Sequence, residues 1–408
     1  MGIYQPAEDS HLLQKYVRRY ALGRVLDLGT GSGIQALTAM ASPTTQFVLA
    51  VDSDDDAVHA FREKVQQERL RKIQVQLSDL FSNVQGQFNL IIFNPPYLPQ
   101  DQGITDPTIY GGKKGWELSQ KFFEQAAKYL YPDGKILFLF SSLTDQKKID
   151  EILEKNLFAF QLLDQQKLAF EMLSVYCIEK SLQRRELEKK GVEDIHYFTH
   201  GKRGDIFTGI IDYNKFIKKY LPAQKNVVKV AIKVKRKESL ARQRMENETR
   251  WLTVINKQGI GPRLLFSGEE YLVYEFVEGE YLLEWIKANS SNPTKIQHIL
   301  QQILEQLFLL DQLGVNKEEL HHPQKHILIT KNNQPVLLDF ERCHPAKKVQ
   351  NVTQFAEFLY RVRGELGPPG ALVSSSLRDL ARAYKRQPTR EQFHNLLKAI
   401  GIEAQSKW

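Results

Sequence analysis

Residues Val25-Leu26-Asp27-Leu28-Gly29-Thr30-Gly31-Ser32-Gly33 decide the fold that we predict for the first half of this chain. Residues 25–28 are typical of a buried strand, the spaced glycines predict a turn whose backbone can approach a ligand closely, and residues 34–41 are typical of a helix. This order predicts an open α/β sheet, in which ligands bind at the carboxyl ends of the strands. The third glycine comes one residue earlier than in the NAD-binding fingerprint, and no P-loop pattern is present, so neither of those nucleotide sites is expected.

Acidic residues follow three successive predicted strands, at the edge where the ligand would bind. Asp27 lies beside the glycine turn and can attract an ammonium group, while Asp52 ends the strand 47–51 and can accept hydrogen bonds from a ribose diol. Asp79 lies where the third strand would meet an adenine amino group. Each acid alone would be an unremarkable solvated carboxylate, but together they predict a pocket for S-adenosylmethionine.

The tetrapeptide Asn94-Pro95-Pro96-Tyr97 follows the apolar run 90–93 and must end that strand, because proline cannot donate to a sheet ladder. The Asn94 side chain and the Pro95 backbone carbonyl can accept hydrogen bonds from an NH₂ group, while Tyr97 packs on a planar substrate. The pattern therefore indicates a methyl acceptor that is a planar nitrogen. The alternative is an ordinary turn at the end of a strand.

Several segments of the first 180 residues resemble the HemK-type class I methyltransferases, in the archaeal and eukaryotic branch that methylates release factors. The matching segments are Tyr4-Gln5-Pro6-Ala7-Glu8-Asp9-Ser10, Asp27–Gly33, Asp79-Leu80-Phe81, Asn94–Tyr97 and Tyr110-Gly111-Gly112-Lys113-Lys114-Gly115. The resemblance implies an α/β fold with a Rossmann-like seven-stranded sheet. It also implies that the acceptor is the amide of a glutamine in a translation release factor, and that a small zinc-binding activator subunit assists.

The resemblance also assigns roles to individual residues. It implies that S-adenosylmethionine is held by Ser10, Asp27, Gly29, Gly31, Asp52, Asp79, Leu80 and Asn94, and the glutamine by Asn94, Pro95 and Tyr97. Ser10 can also be read as the N-cap of a helix that begins at His11, and both readings can hold together. Because enzymes that methylate adenine in nucleic acids share the Asn-Pro-Pro-Tyr motif, an adenine amino group is the second candidate acceptor.

Composition and length place this predicted domain in a larger, ordinary globular chain. The 408 residues are 42% hydrophobic and 25% charged, which is enough for two or three domains. Cys177 and Cys343 form no disulfide framework, and we expect a cytoplasmic protein without a signal peptide or a membrane span. The net charge of +8 is consistent with work beside RNA, although only indirect contact with nucleic acid is expected. We predict a methyltransferase domain at 1–181, a charged, solvated linker at 182–194 and a second domain at 195–408.

The second domain has the order of parts of a protein kinase, which predicts a two-lobed α+β fold. A glycine-spaced turn with Gly201 and Gly204 can cover phosphates, and Lys233 occupies the lysine position of the Val-Ala-Ile-Lys motif. Glu248, in a helix predicted from 239 to 256, can pair with Lys233. A hinge-like strand at 271–279, an amphipathic helix with Ile296 to Leu307, and Asp339 in the Asp-Phe-Gly position follow. This order predicts an ATP site, with Asp339 as the ligand of Mg²⁺.

The catalytic loop departs from the kinase pattern. His321 takes the place of the catalytic aspartate, and His326 takes the place of the asparagine that binds the second Mg²⁺. A neutral imidazole can serve as a base, but it is a poor ligand for Mg²⁺, which prefers oxygen. The segment resembles a group of predicted archaeal serine/threonine kinases related to the RIO-like families. An active kinase and an ATP-binding or purely scaffolding pseudokinase both fit this pattern, and a pseudokinase module would regulate the methyltransferase. A zinc site made by the histidines fits it poorly.

Overall fold

A computed structural model describes residues 6–100, 110–201, 204–212, 227–235, 242–318, 320–365 and 374–402. The chain divides into two compact units, Met1–Gly191 and Val192–Trp408. The predicted limits of the methyltransferase domain, 1–181, and of the kinase-like domain, 195–408, concern function, and they stay a prediction. No helix within the described ranges is long and apolar enough to span a membrane.

The described residues of the first unit form seven strands and six α-helices. The strands are β1 Gly23–Leu28, β2 Thr45–Asp52, β3 Ile73–Leu77, β4 Phe88–Phe93, β5 Leu130–Ser141, β6 Phe158–Lys167 and β7 Met172–Lys180. The helices are α1 Glu8–Tyr20, α2 Ile34–Met40, α3 Asp55–Gln67, α4 Glu117–Ala126, α5 Gln146–Lys155 and α6 Leu182–Lys189. The strands form one sheet in the order β3-β2-β1-β4-β5-β7-β6, in which β7 is antiparallel to both neighbours. The predicted seven-stranded α/β sheet is confirmed.

Apolar layers on both faces of this sheet form the core of the first unit. Leu13 and Val17 of α1 and Phe61 of α3 pack on one face, and Phe122 of α4 and Ile149 of α5 pack on the other. Strands buried on both sides must be almost continuously apolar, which explains runs such as Leu90 to Phe93. Burying a side chain of this size stabilises the fold by roughly 1.5–3 kcal/mol.

The sheet places the predicted motifs at one edge. Leu28, the last residue of β1, pairs with Val51 of β2 and with Phe93, the last residue of β4. The strand order reverses between β1 and β4, and ligands of open α/β sheets bind in the crevice at such a switch point. The glycine turn and Asn94 therefore begin on the two sides of this crevice.

One local expectation for the first unit was wrong. Helix α1 begins at Glu8, and its N-cap is Ala7 rather than Ser10, which is buried inside the helix. The segment predicted as a charged linker, 182–194, contains helix α6 and is not solvated throughout, because Arg184 and Leu187 are buried, and its role as a linker stays a prediction. The Arg184 Nη1 donates to the Asn156 carbonyl at 2.7 Å, so that α6 is packed onto the first unit.

The second unit combines small sheets with a helical region. Its strands are β8 Val192–His200, β9 Gly204–Asp212, β10 Val227–Lys235, β11 Leu264–Ser267, β12 Tyr271–Glu275, β13 Gly279–Tyr281, β14 Val315–Asn316, β15 Ile327–Thr330, β16 Pro335–Leu337 and β17 His344–Pro345. Its helices are α7 Arg242–Ile255, α8 Leu282–Ala288, α9 Pro293–Gln312, α10 Asn351–Val362, α11 Leu377–Arg386 and α12 Arg390–Lys398. Five strands form an antiparallel sheet in the order β11-β12-β10-β9-β8, with α7 between β10 and β11 in the chain, and the helices α7 to α12 contribute to one apolar core.

A buried polar cluster joins three helices of this unit. Asp311, at the end of α9, accepts hydrogen bonds from both nitrogens of Asn351, from the Val352 backbone N–H and from the Tyr384 hydroxyl. Burial nevertheless raises the pKa of Asp311 above its usual value. Because every group of the cluster has a partner, it fixes α10 and α11 against α9.

Candidate functional site

A cavity of about 530 Å³ lies at the carboxyl edge of the seven-stranded sheet. Every residue predicted for the methyl-transfer site lines it: Ser10, Asp27, Gly29, Gly31, Asp52, Asp79, Leu80, Asn94, Pro95 and Tyr97. The sheet thus brings together residues that are spread over almost 90 positions of sequence. Tyr4 and Gln5 of the matching N-terminal segment lie outside the described residues.

The glycine turn is shaped by packing as well as by ligand access. Gly33 has φ +79°, and a Cβ atom at this position would clash with the Phe61 ring of α3. The shortened glycine spacing therefore lets α3 pack directly against the start of α2. Asp52 holds the turn from the other side, since its Oδ2 accepts a hydrogen bond from the Gly31 N–H at 2.8 Å.

Asp27 is buried beneath the turn. Its Oδ2 accepts hydrogen bonds from the Thr30 hydroxyl at 2.7 Å and from the Ala36 N–H at 3.0 Å. Burial is the largest influence on this carboxyl and raises its pKa from the usual 3.8 to about 7. A cationic ligand group beside Asp27 would favour its charged form.

The wall of the cavity that follows β3 has a strained backbone. Leu80 has φ +46°, a conformation that costs a side-chain-bearing residue energy and is often found at functional sites. The Ser78 hydroxyl donates to the Leu80 carbonyl, and the Ser82 hydroxyl accepts from the Asp79 N–H. These bonds hold Asp79 and Leu80 at the cavity wall.

Asn94 is oriented by a residue to which the sequence assigned no role. Its Nδ2 donates to Asp9 Oδ2 at 2.7 Å, whereas its Oδ1 is buried and has no hydrogen-bond partner among the described residues. Because a carboxylate can only accept, Asp9 fixes which end of the Asn94 amide faces it. The carbonyl oxygen of Asn94 is therefore left to accept a hydrogen bond from a ligand.

The loop after Asn94 rests on the glycine segment 110–115. Leu98 bridges to Tyr110, and the Gly111 N–H donates to the Leu98 carbonyl at 3.0 Å. A Cβ atom on Gly111 would clash with the Pro96 carbonyl oxygen, so this close approach requires glycine. The Thr144 hydroxyl also donates to the Tyr97 carbonyl at 2.7 Å. These contacts hold Tyr97 at the wall of the cavity.

The charged side chains among the described residues that line this cavity are all carboxylates. They are Asp9, Asp27, Asp52, Asp54, Asp56, Asp79 and Glu171. Such a cavity repels phosphate groups and favours a ligand of net positive charge. S-adenosylmethionine carries a positive sulfonium and a positive ammonium group and only one carboxylate, so its net charge is positive. It therefore fits a cavity lined with carboxylates. Glu171 was not predicted, because nothing in its local sequence marks it.

A second cluster of charged groups lies in the second unit. Lys233 of β10 pairs with Glu248 of α7 at 2.7 Å and with Glu341 at 3.5 Å. Glu248, Asp339 and Glu341 offer oxygens within 4.8 Å of one another. The pKa of Tyr274 on β12 is raised by burial and then by the charges of Glu248 and Asp339, which places this strand beside the cluster. The structure thus joins Lys233, Glu248 and Asp339 as predicted, and Glu341 is an addition.

The two histidines predicted for the catalytic loop lie in different environments. His326 Nδ1 is 3.9 Å from Asp339 Oδ2. His321 is exposed, its ring lies tilted beside the His322 ring, and its backbone carbonyl accepts a hydrogen bond from Arg361. Within the described ranges, no contact joins His321 to the charged cluster. The Gly201 N–H donates to the Gly204 carbonyl at 2.9 Å between β8 and β9, and residues 202–203 lie outside the described residues.

A seven-stranded mixed sheet, with a glycine turn and strand-end acids around one cavity, is the arrangement of a class I S-adenosylmethionine-dependent methyltransferase. Residues 7–173 match the family model of the methyltransferase small domain. A putative protein N5-glutamine methyltransferase of Methanocaldococcus jannaschii is 34% identical over 180 residues, which are 42% of this chain and 89% of that protein. Through this first part, the chain belongs to the HemK-type branch of the methyltransferase small domain family.

Two further relatives differ in the acceptor that their names state. The release factor glutamine methyltransferase of Deinococcus radiodurans is 34% identical over 136 residues, which are 31% of this chain and 49% of that protein. A tRNA (adenine-N6)-methyltransferase of Tolumonas auensis is 36% identical over 132 residues, 31% of this chain and 55% of that protein. The chain thus spans only about half of each of these relatives.

Proposed function

We propose that the first unit methylates the side-chain amide of a glutamine in a translation release factor. The observation that carries this proposal is the Asn94 amide, which Asp9 holds by its nitrogen and which leaves a buried carbonyl oxygen in the cavity. The Asn94 Oδ1 accepts no hydrogen bond from the described residues, so it can accept one from the NH₂ group of a substrate. The release factor methylation named for the relative in Deinococcus radiodurans agrees with a glutamine amide as the donor of that group.

The roles of the chain's own residues follow from the chemistry of an amide. An amide nitrogen is a poor nucleophile because its lone pair is delocalised. We infer that Asn94 Oδ1 and the Pro95 carbonyl accept its two hydrogens, and that Tyr97 packs on its plane, so that the nitrogen is held in line for attack. S-adenosylmethionine, when bound, supplies an electrophilic methyl group. Asp27, Asp52 and Asp79 would hold its ammonium, ribose and adenine groups.

Methyl transfer from radiolabelled S-adenosylmethionine tests this function. The full chain is offered either a recombinant release-factor domain with a Gly-Gly-Gln loop or total RNA and DNA. The assay is run with and without the small zinc-binding activator subunit that the family resemblance implies. We expect label on the glutamine of the domain, and label found only in nucleic acid would overturn the proposal.

An adenine amino group in nucleic acid is the second candidate acceptor. The identity to the tRNA methyltransferase of Tolumonas auensis favours it, because the motif serves both kinds of nitrogen. The acidic lining of the cavity disfavours it, since phosphates beside a flipped base would meet carboxylates. We therefore place the protein acceptor first.

Binding of S-adenosylmethionine is expected to strengthen as the pH rises towards neutrality. The free Asp27 carboxyl has a pKa raised to about 7, so it is mostly protonated at pH 6, and it must lose that proton to bind an ammonium group. From pH 6.0 to 7.5 the competent fraction rises, and Kd should fall by about five- to tenfold. Above that range the amine of the ligand itself begins to lose its proton. Calorimetric titration measures Kd, and Asp27→Asn should flatten the dependence.

We further propose that the second unit is kinase-like and binds ATP with Mg²⁺. The Lys233–Glu248 ion pair supports this proposal, because it joins a strand and a helix as in protein kinases, with Asp339 beside it. Residues that could hold Mg²⁺ are Asp339 and Glu341, whose carboxylate oxygens suit this ion. Magnesium-dependent protection by ATP against thermal unfolding tests the proposal.

A further inference from the structure

The positive charge of this chain lies in the second unit. Residues 1–191 contain 23 lysines and arginines and 24 acidic residues, whereas residues 192–408 contain 33 lysines and arginines and 24 acidic residues. The net charge is therefore −1 for the first unit and +9 for the second. An excess of this size attracts anionic partners to the second unit.

Helix α11 carries cations on one side and apolar residues on another. Arg378, Arg382 and Lys385 are exposed, and their spacing of four and then three residues places them on the same side of the helix. Leu377 and Tyr384 are buried in the apolar core of the second unit. The core thus covers the apolar side of α11, and the basic side faces solvent.

Basic residues of the neighbouring helices extend this basic side. The guanidinium carbons of Arg363, which follows α10, and of Arg378 lie 4.0 Å and 4.1 Å from the centroid of the Tyr360 ring. Arg386 ends α11, and Arg390 begins α12 after a short connection. We define the arginine surface as six exposed cations: Arg363, Arg378, Arg382, Lys385, Arg386 and Arg390.

Acidic residues neutralise only part of the arginine surface. Glu357 of α10 accepts a hydrogen bond from Arg378 Nε at 3.0 Å, and Asp379 accepts one from Arg382 at 3.2 Å. Glu391 is the one further acid on helices α10 to α12. Three cations of the surface form no ion pair with any described residue, and they are Lys385, Arg386 and Arg390. These three are left to bind an anionic partner.

The composition of the arginine surface favours phosphate as the group that it binds. Lysine outnumbers arginine in the whole chain by 35 to 21, whereas five of the six cations of this surface are arginines. The guanidinium is a planar fork that binds phosphate through two parallel hydrogen bonds, which an ammonium group cannot do. An anionic bilayer is a poorer partner, because the core covers the apolar side of α11 and leaves no apolar face for insertion.

We propose that the arginine surface binds the phosphate backbone of RNA without reading its sequence. Helix α11 packs against both α10 and α12, and a helix with such neighbours does not fit the major groove of DNA, which is about 12 Å wide. RNA helices are instead recognised by their shape and their backbone phosphates. The inference concerns the second unit alone and goes beyond both proposed functions, and an RNA partner agrees with a substrate that works in translation.

Binding of a fluorescently labelled RNA hairpin to the full chain tests this inference. Fluorescence anisotropy gives Kd at several salt concentrations. The test variant removes the three cations without an ion pair and carries Lys385→Gln, Arg386→Gln and Arg390→Gln. The matched control removes three exposed lysines outside α10 to α12 and carries Lys229→Gln, Lys257→Gln and Lys331→Gln. Unlabelled hairpin, duplex DNA of the same sequence and vesicles of anionic phospholipid serve as competitors. The melting temperature of each variant checks its folding.

We expect the test variant to bind the hairpin about 10- to 100-fold more weakly than the wild-type chain, and the slope of log K against log salt concentration to become shallower by about 2–3, close to one for each phosphate contact. The control should lose no more than about threefold, because salt screens distant charges. Arg386→Lys with Arg390→Lys should keep the slope, since it keeps the charge, but lose affinity with the bidentate bonds.

Three results would contradict this assignment: equal losses in the two triple variants, no RNA binding by the wild-type chain, or stronger competition by DNA or by vesicles than by unlabelled RNA. The assay contains no methyl acceptor and no ATP. Failure of either proposed function therefore leaves its outcome unchanged, and the two kinds of failure can be told apart.

Discussion

Asn94→Ala is expected to lower kcat for amide methylation by about 100- to 1,000-fold, because one preorganised acceptor aimed at the reacting nitrogen is removed. Kd for S-adenosylmethionine should change far less than kcat. The Asn94 side chain is held by Asp9, and the three carboxylates proposed to hold the ammonium, ribose and adenine groups, Asp27, Asp52 and Asp79, lie on the other half of the sheet and stay unchanged. Single-turnover methylation of the release-factor domain gives the rate, and calorimetric titration gives Kd.

Two conservative variants separate position from chemistry at this residue. Asn94→Gln keeps the amide but moves it by one methylene, and a displacement of about 1 Å can cost a factor of about 100 in rate. Asn94→Asp places a second carboxylate against Asp9 and removes the donor of the 2.7 Å bond. Both variants should therefore be severely impaired. Turnover by Asn94→Ala near the wild-type rate would show that the acceptor nitrogen is held elsewhere.

The parts of this site that sequence predicts are those that local rules determine. Prolines at 95 and 96 must end β4, so Asn94 has to lie at the carboxyl edge of the sheet. The turn after β1 is also a local prediction, because Gly29 and Gly31 can adopt the positive φ angles that the turn requires. Because parallel strands share one edge, these local predictions already imply a common cavity, and the structure has one.

The parts that sequence does not predict depend on contacts between distant residues. Asp9 and Asn94 are 85 positions apart, and only the packing of α1 over the sheet brings them within hydrogen-bonding distance. Glu171 reaches the cavity because β7 runs antiparallel, which no local pattern specifies. The N-cap at Ser10 was a local prediction that failed, because the helix begins at Glu8, three residues before His11, and buries Ser10.

In the second unit, too, the sequence predicts some contacts of the site and misses others. The kinase order predicted that Lys233 and Glu248 pair, and they do, because α7 follows β10 directly. It did not predict that Glu341 adds a further carboxylate, 3.5 Å from Lys233. Residue spacing also assigned His321 and His326 to one loop site, although only His326 lies near Asp339. Position in a motif therefore identified the cluster but not its full charge.

The negative charge of the cluster in the second unit predicts that ATP binding requires Mg²⁺, and this requirement can be tested. Glu248, Asp339 and Glu341 together carry three negative charges, and Lys233 carries one positive charge. A cluster with this excess of negative charge should bind ATP poorly on its own and bind it better together with Mg²⁺. At about 100 times Kd, a ligand stabilises the fold by about 2.7 kcal/mol. For a unit of this size the melting temperature should rise by roughly 5–10 °C. Protection should require Mg²⁺ and disappear with a chelator.

Asp339→Asn and Lys233→Met should abolish this protection, while Lys229→Met on the same strand should keep it, because Lys229 is exposed and pairs with Glu278. Lys233→Met also leaves Glu248 buried without its lysine, so the comparison is the shift that ATP causes rather than the starting temperature. Scanning calorimetry of the full chain measures that shift. An undiminished shift in Asp339→Asn would contradict the assignment. Label transferred from γ-labelled ATP to protein would make the unit a kinase, and protection without transfer would make it a nucleotide-binding pseudokinase.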